Sequence, residues 1–130
     1  MDEYIRTKNL HDHVHFTGHI GRAELRRAYY ASDVLLHPIK DQGGWLSVFE
    51  AMCAEKPVVV SEEMTAAAII AKNGIGTVTN DFAEGILDIY RQPERHRDRT
   101  QLAKRFVQNK LTWDRFGEEM LKVFDTARSQ

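Results

Sequence analysis

The chain has 130 residues, which is enough for one domain with a modest core and too few for two complete α/β lobes. Its formal net charge of -1 shows no overall bias toward nucleic acid or membranes. Its first residues lack the basic and apolar regions of a signal peptide, and a lone cysteine excludes an internal disulfide. No apolar stretch approaches the roughly 20 residues of a membrane span, so any membrane contact would be peripheral. We expect a single domain over residues 1–130 in a reducing, cytoplasmic setting.

Strand-like and helix-like patterns alternate along the first 90 residues. Alternation over His15 to Gly18 predicts a half-buried strand, and residues 23–29 then repeat apolar side chains near helical spacing. The apolar runs Asp33 to Pro38 and Pro57 to Ser61 predict buried parallel strands, and Gly76 to Asn80 predicts a fourth short strand. Further helices are predicted over residues 45–55, 65–72 and 82–90.

This alternation is typical of an α/β fold, because parallel neighbours need crossover connections that place helices on the sheet. We therefore predict a three-layer, Rossmann-like parallel sheet with flanking helices. Asn73-Gly74 predicts a left-handed cap at the end of the third helix. The tail, residues 95–128, predicts two helices, the second capped by Thr112. Packing is the favoured role for the apolar face of this last helix, formed by Trp113, Phe116, Met120 and Phe124.

One loop carries the clearest chemical signal. In open parallel sheets ligands bind beyond the carboxyl ends of the strands, and Lys40 to Trp45 follows a strand and opens a helix. The paired Gly43 and Gly44 let the backbone approach a bound phosphate, although a tight turn without a ligand explains them equally well. Glu50 lies about two helical turns after Gln42, where a carboxylate suits sugar or ribose hydroxyls.

The segment around this loop resembles a glycosyltransferase motif. His37-Pro-Ile-Lys-Asp-Gln-Gly-Gly-Trp-Leu-Ser-Val-Phe-Glu-Ala-Met52, followed by Lys56-Pro-Val-Val-Val-Ser61, is similar to the C-terminal domain of retaining family 4 type glycosyltransferases. Val14-His-Phe-Thr-Gly18, Ala31-Ser-Asp33 and Gly74-Ile-Gly76 resemble further motifs of that domain. The resemblance covers nearly the whole chain. It implies the donor-binding lobe of a two-lobed GT-B enzyme that transfers a sugar from a nucleotide diphosphate sugar to an acceptor.

The resemblance also implies roles for single residues. Glu50 corresponds to the glutamate that binds the nucleotide ribose, and Gln42 stands where another glutamate contacts the transferred sugar. These two are the predicted catalytic residues, although an amide at Gln42 carries no charge. Contacts with the donor phosphates and sugar are implied for Gly43, Gly44 and the N–H groups that follow, at Trp45 and Leu46. The implied ligand is the nucleotide diphosphate sugar, with no further cofactor and no metal.

Several features depart from the family pattern. Ile39 replaces a serine, Trp45 stands near a usual glycine, and Glu55 replaces another glycine. The family's lobe also begins with two more β-α units, which carry a basic pair for the leaving diphosphate, and an acceptor lobe precedes it; the 130 residues contain neither. Lys40 is then the cation nearest the loop. We expect this chain alone to be inactive.

The two absent strands also predict assembly. In the family's strand order 3-2-1-4-5-6 they separate residues 14–18 from residues 33–38. Either these two segments pair directly, or another chain covers the open edge of residues 33–38. We expect an N-terminal acceptor lobe or a second copy of the chain as the partner. The alternative function is an interaction or nucleotide-binding module that kept the fold and lost the chemistry, which Gln42 favours.

Other candidate sites have simpler explanations. Solvated side chains explain four closely spaced histidines better than a metal site, since no carboxylate or cysteine cluster accompanies them: His11, His13, His15 and His19. His37 either faces the donor or packs in the core, and packing is favoured. Cys53 is predicted to be a small buried apolar residue. Arg91 to Lys104 contains acids and no interleaved aromatics, which favours a solvated helix face over an RNA-binding surface.

Overall fold

A computed structural model describes residues 2–40 and 45–128. Two helices come first, helices and strands then alternate over residues 22–91, and the elements beyond residue 91 are helical. In chain order they are α1 (Asp2–Thr7), α2 (Arg22–Ala31), β1 (Leu35–His37), α3 (Leu46–Cys53), β2 (Val58–Val60), α4 (Ala67–Asn73), β3 (Thr77–Val78), α5 (Phe82–Arg91), α6 (Pro93–Lys110) and α7 (Trp113–Arg128).

The described strands form a parallel sheet in the order β1-β2-β3. Leu35 pairs with Val58, and Val60 pairs with both His37 and Val78. The β2 valines are fully buried, as expected for a β-branched strand at the centre of a parallel sheet. The predicted parallel α/β arrangement is confirmed, with strands shorter than the apolar runs that indicated them.

Helices cover both faces of the sheet. Val58 and Val60 point into the main core, which contains residues from α3, α4 and α6. Val59 points to the opposite face and meets α5, where a Cβ atom added to Gly85 would lie 2.8 Å from the Val59 Cγ1. Because successive side chains of a strand point to opposite faces, the valine run supplies both interfaces. The predicted three-layer arrangement is confirmed.

The main core fixes the position of α3. One side of this helix buries Val48 and Met52, and α6 packs on it through Ala103 and Val107. α3 also contacts both β1 and β2, so the helix is held between the sheet and α6. A rigid α3 fixes the direction in which its exposed side chains project, and those side chains include the predicted site residues.

Two predicted helix ends are confirmed. Gly74 adopts a left-handed conformation, with φ 62° and ψ 29°, and ends α4. The Thr112 hydroxyl accepts a hydrogen bond from the Arg115 N–H at 3.2 Å and caps the start of α7. Pro93 occupies the first position of α6, where the backbone N–H has no partner within the helix and a proline is therefore tolerated.

The prediction of a strand over His15 to Gly18 is wrong. These residues are irregular and exposed, and the Phe16 side chain is 62% accessible. A strand requires hydrogen-bonding partners on a neighbouring strand, and within residues 2–40 and 45–128 none adjoins this segment. It does not pair with β1 either, so the second edge of β1 has no partner strand among the described residues.

The described residues do not cover the aromatic side chains of α7, so the predicted packing is not found within them. α7 buries none of its described residues, and Trp113 is 86% accessible. Phe116 and Phe124 are exposed as well. Trp113 instead lies edge-on to Phe116, with ring centres 6.0 Å apart.

None of the helices among residues 2–40 and 45–128 has both the length and the apolar character of a membrane span.

Candidate functional site

The loops at the carboxyl edge of the sheet form one rim. The Ser61 hydroxyl donates to the backbone carbonyl of Ile39, and the Ser61 N–H donates to the His37 carbonyl at 3.3 Å. These bonds join the loop after β2 to the loop after β1. The Asn80 amide oxygen accepts the Glu62 N–H at 3.2 Å, which joins the loop after β3 to the same rim. This is the edge at which ligands of parallel α/β sheets bind.

The rim carries charges of both signs. The Asn80 amide nitrogen lies 3.4 Å from a carboxylate oxygen of Glu62 and 3.4 Å from one of Glu63. Lys40 is exposed at the start of the loop after β1. Lys40 attracts anions to this edge, whereas the two glutamates repel them.

The start of α3 lies at this edge, immediately after the loop. Trp45 is its N-cap residue and supplies no side-chain cap, so the first N–H groups of the helix are suited to an anionic ligand. The N–H roles of Trp45 and Leu46 stay predictions. The loop residues to which the sequence gives the other phosphate and sugar contacts lie outside the described residues: Gln42, Gly43 and Gly44.

The side chains at the start of α3 line an apolar groove between α3 and the end of α6. Trp45 lies edge-on to Phe49, with ring centres 5.4 Å apart, and Leu46 is largely exposed. The groove has a volume of about 420 Å³ and is closed on its other side by Val107 and Leu111. Glu50 lies at its margin, so the predicted carboxylate borders this apolar surface.

Glu50 projects from the exposed side of α3 toward α2. Its carboxylate accepts a hydrogen bond from the Tyr29 hydroxyl, with 3.0 Å between the Tyr29 oxygen and Oε2 of Glu50. Partial burial, together with this bond and the negative charge of Glu50, raises the pKa of Tyr29 to about 12. The Tyr29 hydroxyl is therefore protonated at neutral pH and acts as the donor of the pair.

A groove of about 280 Å³ separates α2 from α3 at this pair. Besides Tyr29 and Glu50, its walls include Arg22 and Arg26 from α2. The Arg26 guanidinium lies 5.8 Å from the ring centre of Tyr30, in a cation–π contact. Guanidinium, aromatic and carboxylate groups together suit a ligand with phosphates, a ring and hydroxyls.

Sequence reasoning missed the α2 side of this groove. The available signal is spacing, because Arg22, Arg26 and Tyr29 lie four and three residues apart and so share one face of α2. That spacing does not show which other helix the face meets. Glu50 lies 21 positions after Tyr29 in the sequence, and the two side chains meet because α2 lies beside α3 in the fold.

His37 and Cys53 show opposite outcomes of the sequence interpretation. His37 is buried, and its Nδ1 lies 3.4 Å from the Ser47 hydroxyl, which agrees with a packing role. The His37 Nε2 has no hydrogen-bond partner among the described residues.

The prediction that Cys53 is buried is wrong. Cys53 is exposed, because it lies three residues after Glu50 on the same outward face of α3. Partial desolvation raises the pKa of its thiol, which disfavours a nucleophilic role.

The four closely spaced histidines and most of the basic run lie on the surface. The closely spaced histidines of residues 11–19 are exposed, and the described chain contains no group of three side chains arranged to hold a metal. In the basic run, Arg91 pairs with Glu84 at 2.9 Å and Arg97 with Glu94 at 3.4 Å. These ion pairs agree with the predicted solvated face. His96, Thr100 and Ala103 of the same run are buried, so the prediction holds for one side of the helix only.

Comparison with known proteins assigns a family. The family model described as "Glycosyl transferases group 1" matches residues 1–92, which is more than half of the chain. The chain belongs to this family. Membership in the glycosyl transferases group 1 confirms the family resemblance of the His37 to Met52 segment, which lies within the matched residues. A search of curated proteins gave no match.

The fold of this group 1 glycosyltransferase chain is found in a solved structure. It is similar to the sucrose-phosphate synthase from Thermosynechococcus elongatus, with a TM-score of 0.76 and 22% sequence identity. The match covers 98% of this chain and 33% of the synthase chain, so the present chain spans about a third of that enzyme's length. The predicted relationship to the GT-B fold is confirmed.

Proposed function

We propose that this chain binds the donor substrate of a retaining glycosyltransferase, a nucleotide diphosphate sugar. The observation that carries the proposal is the position of Glu50, whose exposed carboxylate borders the groove between α2 and α3. Family membership supports glycosyl transfer as the reaction of the complete enzyme. The carboxylate supports binding of the ribose hydroxyls, because carboxylate oxygens accept strong hydrogen bonds from hydroxyl groups.

In this proposal the diphosphate lies at the start of α3. The uncapped first turn of the helix supplies N–H donors at Trp45 and Leu46, and Lys40 supplies a positive charge at the same edge. Gln42 contacts the transferred sugar through its amide. Glu62 and Glu63, which follow β2 and lie beside Asn80, would repel the phosphates, which favours placement of the phosphates toward α3.

Turnover in this proposal requires a second lobe. Departure of a nucleoside diphosphate develops negative charge, and a reaction of this kind is accelerated by groups preorganised to stabilise that charge. The start of α3 and Lys40 provide only a small part of this charge stabilisation. We propose that an N-terminal acceptor lobe or a second copy of the chain completes the site, in a cytoplasmic setting and with no nucleic acid partner. The second edge of β1 is a suitable point of attachment, since no described strand covers it.

Calorimetric titration tests the binding function directly. The titrants are uridine, guanosine and adenosine diphosphates and the three corresponding nucleosides. We expect one diphosphate to bind and to bind more tightly than its nucleoside, because the phosphates gain contacts at α3. Absence of binding by all three diphosphates would contradict the proposed function.

A second candidate function is an interaction module that kept the fold and lost the chemistry. The exposed apolar side chains of α7 favour it, because a soluble monomer seldom leaves such a helix face uncovered. This module would bind none of the diphosphates and would associate through α7. Truncation after residue 112 would then abolish association, whereas the donor-binding function predicts that nucleotide binding survives the truncation.

A further inference from the structure

The Glu50 carboxylate is held by a residue that is itself fixed. The Tyr29 ring packs against the main core, whereas the Glu50 side chain is exposed on α3. A free glutamate samples many rotamers, and fixing it on ligand binding costs conformational entropy. The hydrogen bond of 3.0 Å from the Tyr29 hydroxyl to Oε2 restricts these rotamers before any ligand arrives.

We propose that Tyr29 is a positioning residue that holds the Glu50 carboxylate in the orientation that accepts the ribose hydroxyls of the donor. This inference rests on the proposed function and assigns a residue of α2 to it. Tyr29 occupies one carboxylate oxygen, Oε2, and leaves Oε1 and the remaining lone pairs for the ligand. The pair therefore does not have to break when a ribose binds.

The chemistry of Tyr29 suits this task. Its raised pKa keeps the hydroxyl protonated at neutral pH, so that the hydroxyl remains a hydrogen-bond donor to Glu50. Preorganisation of this kind increases affinity by removing an ordering cost and adds no contact between Tyr29 and the ligand. It should therefore act only on ligands that use Glu50.

An exposed tyrosine outside the groove provides the control. Tyr90 lies on α5, its side chain is 83% accessible, and it lines neither of the grooves that Glu50 borders. Tyr90→Phe thus removes an identical hydroxyl without changing the Glu50 carboxylate.

The test compares wild type, Tyr29→Phe and Tyr90→Phe by calorimetric titration with the uridine, guanosine and adenosine diphosphates and their 2′,3′-dideoxy counterparts. Without this bond the Glu50 side chain must be ordered when the ligand binds, which predicts about fivefold weaker binding of the ribonucleotide by Tyr29→Phe. Tyr90→Phe should bind like wild type. The dideoxy nucleotide, which offers Glu50 no hydroxyls, should bind equally to all three proteins, and similar melting temperatures check that each variant is folded.

Each outcome has one meaning. If wild type prefers the ribonucleotide and Tyr29→Phe binds it equally well, the role of Tyr29 is overturned while the proposed function stands. If Tyr29→Phe weakens ribo and dideoxy forms alike, Tyr29 acts only on the fold of the groove and the inference is again overturned. If wild type binds no diphosphate, the proposed function fails and the inference fails with it.

Discussion

The contact between α5 and the centre of the sheet gives a quantitative test of the three-layer arrangement. Gly85 lies where α5 crosses Val59, and an added Cβ would lie 2.8 Å from the Val59 Cγ1 and 3.3 Å from the Thr79 Cγ2. Val59 is fully buried in β2 and has no space to move. Gly85→Ala should therefore push α5 off the sheet, at an overpacking cost of about 1–3 kcal/mol.

Helix propensity acts in the opposite direction. Alanine is favoured over glycine inside a helix by about 1 kcal/mol, so the net destabilisation by Gly85→Ala is about 1 kcal/mol. For a domain of this size that loss corresponds to a melting temperature lower by about 4 °C. The measurement is thermal unfolding followed by circular dichroism at one protein concentration.

Gly117→Ala is the matched control. Gly117 lies within α7, and nothing lies within 4 Å of an added Cβ. The same substitution there carries the propensity gain without the clash, so its melting temperature should equal or exceed that of wild type. If Gly85→Ala also melts at or above wild type, α5 does not pack on Val59 and the three-layer arrangement is incorrect.

Two further predictions concern the carboxylates of Glu55 and Asp88. Glu55 has a left-handed backbone, with φ 57°, and pairs with Lys104 at 2.6 Å. Glu55→Gly should raise the melting temperature because glycine adopts this conformation without strain. Glu55→Ala should lower the melting temperature because it keeps the strain and loses the ion pair with Lys104. Equal melting temperatures of the two variants would contradict the reasoning. The hydrogen bond from His96 holds the pKa of Asp88 below its ordinary value of 3.8. The ionised Asp88 therefore stabilises the folded protein fully above pH 3.8, and this stabilisation is lost as the pH falls through the lower pKa of the folded state. Asp88→Asn should make the melting temperature less sensitive to acid, and an unchanged acid dependence would show that this bond does not contribute.

Local signals in the sequence predicted the elements whose structure depends mainly on their own residues. The valine run of β2 is buried from both sides, so its composition alone identifies it. Gly74 ends α4 because a left-handed residue is needed there, and glycine adopts that conformation without a steric penalty. The position of Glu50 on α3 followed from the motif and from helical spacing.

Features that depend on distant partners were not predicted. Residues 15–18 alternate as a strand does, yet a strand forms only where another strand supplies hydrogen bonds. The exposure of Cys53 and of Trp113 depends on which neighbouring elements cover α3 and α7, and periodicity does not specify them. The bond between Tyr29 and Glu50 joins residues 21 positions apart through helix packing, so the motif that identified Glu50 gave no indication of its partner.

The central claim is that Glu50 and the start of α3 bind a nucleoside diphosphate. The most direct measurement is calorimetric titration of wild type, Glu50→Ala and Glu55→Ala with the diphosphate that binds most tightly and with its nucleoside. Glu55 follows α3 and lies outside both grooves that Glu50 borders, so Glu55→Ala controls for the loss of a nearby carboxylate. We predict that wild type prefers the diphosphate, that Glu50→Ala weakens its binding by about tenfold or more, and that Glu55→Ala leaves it unchanged. Equal affinities for diphosphate and nucleoside, or equal effects of the two substitutions, would contradict the claim.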